Sequence, residues 1–175
     1  GVDVIKRFSL QRSDYLVNVE YIISNRSDQR WQGNLFGQIK RDSTTDPSQE
    51  LASGMGMVPF MGVALTSPDE RFIKFDFEDM QEKPFKEKIE GGWIAMIQHY
   101  FLSAWIPTAG QTHTYSTRVT NTGYNIGGFV SPATIVDPGQ TGSISAGLYL
   151  GPKDQYRLKE ISEYLDLSVD YGWLW

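Results

Sequence analysis

The chain contains no cysteine, which removes disulfides, thiolate nucleophiles and cysteine-ligated zinc together. Histidine is almost missing as well: only His99 and His113 occur, on different predicted strands, without the HxxxH or HExxH spacing of a metal site. Nucleophile elbow, phosphate loop and dinucleotide fingerprint are absent, since Gly54-Met55-Gly56 and Gly91-Gly92 fall in predicted loops without the following helix that anion binding requires. Positive charge is in deficit, with 16 Lys and Arg against 21 Asp and Glu, a net charge of −5 and a pI near 5.0. Nucleic acid is therefore not an expected partner. No apolar run reaches the ~18–20 residues that cross a bilayer, and no charged, apolar, small-residue series opens the chain as a signal peptide would. Gly1 leads at once into the strand-like Val2 to Leu10, which reads as a cut inside a longer polypeptide, itself soluble. Internal repeats, low-complexity tracts and interdomain linkers are also lacking.

What is present suits one β-rich domain. The 175 residues are 40% hydrophobic and 13% aromatic, with 17 Gly and 8 Pro to supply tight turns. Tyr15, Val17, Val19, Tyr21 and Ile23 recur at every second position, the period of a half-buried strand. After a turn at Asn25 to Asp28, Trp31, Leu35 and Ile39 continue the alternation with Gly33 and Gly37 on the same face, which predicts an adjacent antiparallel strand. Arg41 to Gly56 reads as a long exposed loop. Phe60 to Leu65 and Phe72 to Phe77 read as strands, and the charged Glu78 to Glu90 as surface. Trp93 to Ile106, the most apolar stretch, is rich in strand formers, and one or two central strands with a bulge near Gln98 are expected. Thr112 to Thr120, Tyr124 to Val130, Ala133 to Val136 and Thr141 to Leu150 add four more, split by Asn121-Thr122-Gly123, Ser131-Pro132 and Asp137-Pro138-Gly139. Regular short strands of this kind indicate a β-sandwich over residues 1–151.

Beyond Gly151-Pro152 the period changes. Leu158, Ile161 and Leu165 are spaced for one helix face while Lys153, Asp154, Arg157, Glu160 and Glu163 fill the others, predicting an amphipathic helix over 152–165 with Pro152 near its first turn. Its apolar face is expected to pack on the sandwich. Residues 166–175 end in Tyr171-Gly172-Trp173-Leu174-Trp175. Tyr and Trp have apolar bodies and polar tips, so this tail suits either the headgroup zone of a membrane or packing on the sandwich. No catalytic, cofactor-binding or metal-ligating set emerges: His99 reads as a packed or sheet-surface residue, His113 as exposed near a strand start, and Asp76, Glu78 and Asp79 as a solvated acidic strand end.

Two long segments carry a resemblance. Gly91-Gly92-Trp93-Ile94-Ala95-Met96-Ile97-Gln98-His99-Tyr100-Phe101-Leu102-Ser103-Ala104-Trp105-Ile106-Pro107 and Leu165-Asp166-Leu167-Ser168-Val169-Asp170-Tyr171-Gly172-Trp173-Leu174-Trp175 resemble signatures of the periplasmic domain of bacterial YidC-family membrane protein insertases. Asp14 to Val19 with Asn25, Gly37 to Lys40, and Asp137 to Gly142 fit the same register. The resemblance implies a galactose-mutarotase-like β-supersandwich of antiparallel strands with one or more C-terminal helices. It also implies that parts of the family's domain, N-terminal strands included, lie outside this chain, as does the transmembrane core whose hydrophilic groove carries an Arg. Function would be non-catalytic: assisting insertion and folding of bacterial inner-membrane proteins from the periplasm, with or without the Sec translocon. SecDF, SecYEG and nascent membrane proteins are the implied partners, and no cofactor is implied. Tyr171, Trp173, Leu174 and Trp175 would then approach the membrane, and Lys153, Arg157, Glu160 and Glu163 are candidate partner contacts. The competing expectation is a carbohydrate-binding or mutarotase-like sugar-processing domain, which needs an acid and a base facing one anomeric centre.

Overall fold

The computed structural model of the chain describes residues 1–45 and 59–169. In chain order the strands are β1 Val2–Leu10, β2 Leu16–Asn25, β3 Trp31–Arg41, β4 Gly62–Leu65, β5 Ile73–Phe75 and β6 Lys86–Glu90. They continue with β7 Ile94–Ile97, β8 Phe101–Pro107, β9 Thr112–Val119, β10 Asn125–Val136 and β11 Thr141–Pro152. Helix α1 covers Phe77–Glu82, α2 covers Gln155–Ile161, and a 3-10 turn covers Leu165–Ser168. A seven-stranded sheet in the order β1-β2-β11-β8-β7-β4-β5 faces a four-stranded sheet in the order β3-β10-β9-β6. Every neighbouring pair in both sheets is antiparallel.

Strand alternation builds two apolar layers. Between the sheets, Val63, Leu65, Ile94 and Met96 meet Leu35, Tyr115 and Phe129. The residues interleaved with them, Ala64, Ala95 and Ile97, face outward into a second layer with Trp93, Leu102, Tyr149, Leu158 and Leu165. The middle strands of the larger sheet are thus covered on both faces, which is why the segment around Ile94 to Ile97 is apolar without a break. Gly37 leaves room for two aromatic rings, since a Cβ there would collide with Trp105 and Phe129 at 2.6 Å.

Several expectations need correction. The second and third strands are not neighbours, for β2 lies in the seven-stranded sheet and β3 in the other. Alternation marks one buried face on each strand and does not name the pairing partner. The crossing is fixed by Asn25, buried to 1% exposure, whose Nδ2 donates to the carbonyls of Gln29 (2.8 Å) and Val136 (2.9 Å). The Ser131-Pro132 break is a register shift inside the continuous β10. The irregularity at Gln98 is the turn of a β7–β8 hairpin, closed by Gln98 N donating to Phe101 O at 3.0 Å. Glu78 to Glu90 is not merely surface, because Met80 on α1 and Ile89 on β6 are core residues. Of Arg41 to Gly56, residues 46–56 lie outside the described residues. His113 is 1% exposed rather than open to solvent. It shares the inward face of β9 with Tyr115 and Thr117, donates from Nε2 to Thr108 O at 2.8 Å, and sets its ring edge-on to Phe129.

Candidate functional site

The outward layer is where the last described segments of the chain, α2 and the 3-10 turn, pack on the larger sheet. Ala64, Ala95 and Ala104 pair in register across β4, β7 and β8, and Tyr149 of β11 is the next neighbour in the row. Three methyl side chains in a line leave a shallow trough on the sheet. Leu158 of α2 and Leu165 of the 3-10 turn are fully buried in the layer over it, with Ile161 and Val169 packed at its margin. Burial of a leucine side chain stabilises by roughly 1.5–3 kcal/mol, so this face holds the short helix that propensity alone could not.

The helix begins later than its sequence suggested. Pro152 is the last residue of β11, where it has no amide hydrogen to lend to the sheet, and α2 starts at Gln155. Its cap is Asp154, whose carboxylate accepts from Tyr156 N (3.0 Å) and Arg157 N (3.2 Å). Tyr149 OH donates to Pro152 O at 2.7 Å, and burial, foremost, pushes that phenol up to about 12. It therefore stays a neutral donor at physiological pH. After α2 the chain turns on Tyr164, left-handed at φ 63°, into the 3-10 turn, which Ser168 closes by donating to Leu165 O at 2.7 Å.

The segments that carry the family resemblance converge here. Gly91 and Gly92, at φ 63° and 78°, swing the chain from β6 into β7, a path that L side chains resist. A Cβ on Gly92 would also meet Thr66 O at 3.0 Å. Trp93 is thereby buried under the cap at zero exposure, and its Nε1 donates to Glu163 O at 3.0 Å. From another direction comes Asp14, whose carboxylate takes two hydrogen bonds from Arg157, 3.1 Å to Nε and 2.6 Å to Nη2. The Arg157 hydrogen bonds hold the Asp14 carboxyl below the usual carboxylate range. Tyr15 packs edge-on against Tyr149, and its Cβ sits 2.6 Å from where a Cβ on Gly151 would stand.

The expected partner contacts divide on this frame. Arg157 is half-buried and paired with Asp14 and with Glu160, the latter at 3.1 Å, so its one charge is engaged in two ties within the chain. Glu163 is exposed, with its carbonyl bonded to Trp93. Lys153 is half-buried, and its amide donates to Tyr100 O at 2.9 Å. Tyr171, Trp173, Leu174 and Trp175 lie outside the described residues. Among the described residues, no helix is long and apolar enough to cross a membrane.

The residues weighed for sugar chemistry are dispersed. His99 stacks on Tyr100 at 3.9 Å in the β7–β8 turn, whereas His113 is inside the sandwich. Asp76 is not simply a solvated strand end: it caps α1, accepting from Glu78 N (2.9 Å) and Asp79 N (2.8 Å), and Asp79 accepts in return from Asp76 N. The capping box was readable in Asp76 and Asp79, three apart before an apolar-periodic stretch. Sequence reasoning also missed the Asp14–Arg157 tie, since nothing local links positions 143 residues apart.

Comparison with known proteins agrees with this architecture. A family model described as the YidC periplasmic domain matches residues 1–175. The membrane protein insertase YidC of Cellvibrio japonicus is 46% identical over 176 residues, that of Stutzerimonas stutzeri 47% over 175, and that of Hahella chejuensis 45% over 178. Each alignment takes in 100% of this chain and 31% of the relative. The chain thus spans about a third of the length of those proteins. Among solved structures, a galactose mutarotase related enzyme from Lactobacillus acidophilus superposes with a TM-score of 0.55 at 9% identity, over 85% of this chain and 61% of the enzyme. At that identity the likeness speaks for the fold alone.

Proposed function

The chain belongs to the YidC periplasmic domain family, and from that premise we propose that it is a non-catalytic scaffold on the periplasmic face of a bacterial inner-membrane insertase. Its task on this reading is to hold the polypeptide that follows Val169 at a fixed angle to the bilayer. The observation that carries the reading is the convergence of Trp93, Asp14 and Leu165, residues of separate signature segments, beneath one C-terminal cap. A scaffold needs a stiff joint between body and anchor, and a helix locked by two buried leucines, an indole hydrogen bond and a paired guanidinium is such a joint. The aromatic tail Tyr171, Trp173, Leu174 and Trp175 would enter the headgroup zone.

On the same reading the full protein works on nascent membrane proteins, alone or beside the SecDF and SecYEG components. Exposed β edges and the outer side of α2 would offer the contacts. The test is Ile161→Asp in the full-length protein. Ile161 is half-buried at the rim of the joint, so the sandwich should keep its fold by circular dichroism while insertion of a membrane-protein reporter falls severalfold. Normal insertion with a displaced α2 would overturn the scaffold reading.

A further inference from the structure

At the end of the cap, beside the last described residues, a cleft of about 230 Å³ opens between the outer face of the sheet and the 3-10 turn. Phe60, Phe72, Lys74, Lys153, Leu167 and Val169 are among the residues that line it. None of the described lining residues is acidic, in a chain whose net charge is −5. Two larger clefts, of about 430 and 490 Å³, both include Glu90 and Glu163, with Arg71 as the one described cation in the first and no described cation in the second. The Lys74 ammonium is held over the rings of Phe60 (5.2 Å) and Phe72 (5.6 Å), which fixes its position without neutralising it. Leu167, 44% exposed, leaves an apolar side chain at the rim. The Lys74 cation above an apolar floor, next to an exposed leucine and beside the last described residues, matches the order of groups at a lipid surface: phosphate outside, hydrocarbon beneath.

Resting on the reading that this end of the cap faces the bilayer, we propose that the Lys74 cleft receives the phosphodiester headgroup of an anionic phospholipid. Lys74 supplies the charge, and Leu167 reaches toward the acyl region. The contact would fix rotation of the domain about its exit point, which a single tether leaves free.

The experiment uses the 175-residue chain. Its free form is floated with vesicles of phosphatidylcholine, with or without phosphatidylglycerol. Partition onto the anionic vesicles should fall about fivefold for Lys74→Ala, the share of one lysine near an anionic surface. Lys74→Arg should retain it, and Lys86→Ala on the far strand β6 should change nothing. Equal loss from Lys74→Ala and Lys86→Ala, or no preference for phosphatidylglycerol, overturns the site. In a second arm the chain is tethered through a histidine tag after Trp175 to neutral vesicles with spin-labelled headgroups. Selective broadening of the Leu167 to Val169 amides supports the underlying orientation, and its absence sinks that orientation whatever Lys74 does. If inorganic phosphate alone shifts the Lys74 and Phe72 resonances as the vesicles do, the cleft is a free-phosphate site and the lipid assignment fails.

Discussion

The two long edges of the sandwich end in opposite ways. At one, α1 is wedged between β5 of the larger sheet and β9 of the smaller, with Met80 at zero exposure and Phe75 and Phe85 in ring contact at 5.0 Å. At the other, β1 and β3 are the end strands of their sheets, with no helix over them among the described residues, beside an open cleft of about 310 Å³ lined by Val4, Tyr21, Trp31 and Leu35, among others. There Phe8 is 55% exposed and Leu10 70%, while Ile5 is exposed on the opposite face of the same strand. Six helical residues suffice to seal the inter-sheet layer at the first edge, because one methionine enters it and a reciprocal Asp76–Asp79 box keeps the helix end satisfied. Without such a wedge, apolar side chains of the same kind stay in solvent. Whether an apolar residue joins the core is thus decided by what closes the edge and not by its hydropathy.

The widest contrast should come from truncating one side chain at each edge. Met80→Ala should destabilise the chain by about 2–5 kcal/mol through the cavity it leaves, and Phe8→Ala should stay within about 0.5 kcal/mol. Urea denaturation measures both, and similar values would erase the distinction between the edges. A smaller effect is expected in association. A long, apolar, exposed edge strand templates pairing with another chain, so Phe8→Lys should reduce concentration-dependent self-association in sedimentation with little change in melting. A lysine at the far edge, already present as Lys86 and Lys88 on β6, illustrates the same protection.

Much of this was legible in the sequence. Period-two alternation marked most strands, and the switch of period after Gly151-Pro152 marked the cap. The resemblance located both ends of the joint. The rest depended on pairings that no local pattern encodes. Alternation in β2 and β3 looks the same whether the two pair or part into different sheets. His113 looked exposed because a lone histidine near a turn carries no sign of the Phe129 ring that awaits it. Arg157 looked like a free surface charge because its partner, Asp14, is near the other end of the chain.

That pair gives the finest test of the cap, which is closed by packing as the α1 edge is and also by a charge. The Asp14 carboxyl is 12% exposed and the Arg157 side chain 33%, so solvent screens the pair and its removal should cost only about 1 kcal/mol. The sign of its pH dependence is fixed. Arg157 lowers the folded pKa of Asp14, so the stabilisation is complete above the ordinary carboxylate value of about 4 and is lost as pH falls through the depressed folded value. The protection factor of the Leu158 amide, whose N–H bonds to Asp154 O at 2.9 Å, taken against the intrinsic exchange rate at each pH, should therefore fall on acidification in the wild type. Asp14→Asn should show faster exchange already at neutral pH and a weaker acid step. The core amides of β9 under the α1 edge, far from this carboxylate, should not follow that change. If they do, the cap and the sandwich open as one unit and the joint has no independent motion to restrain.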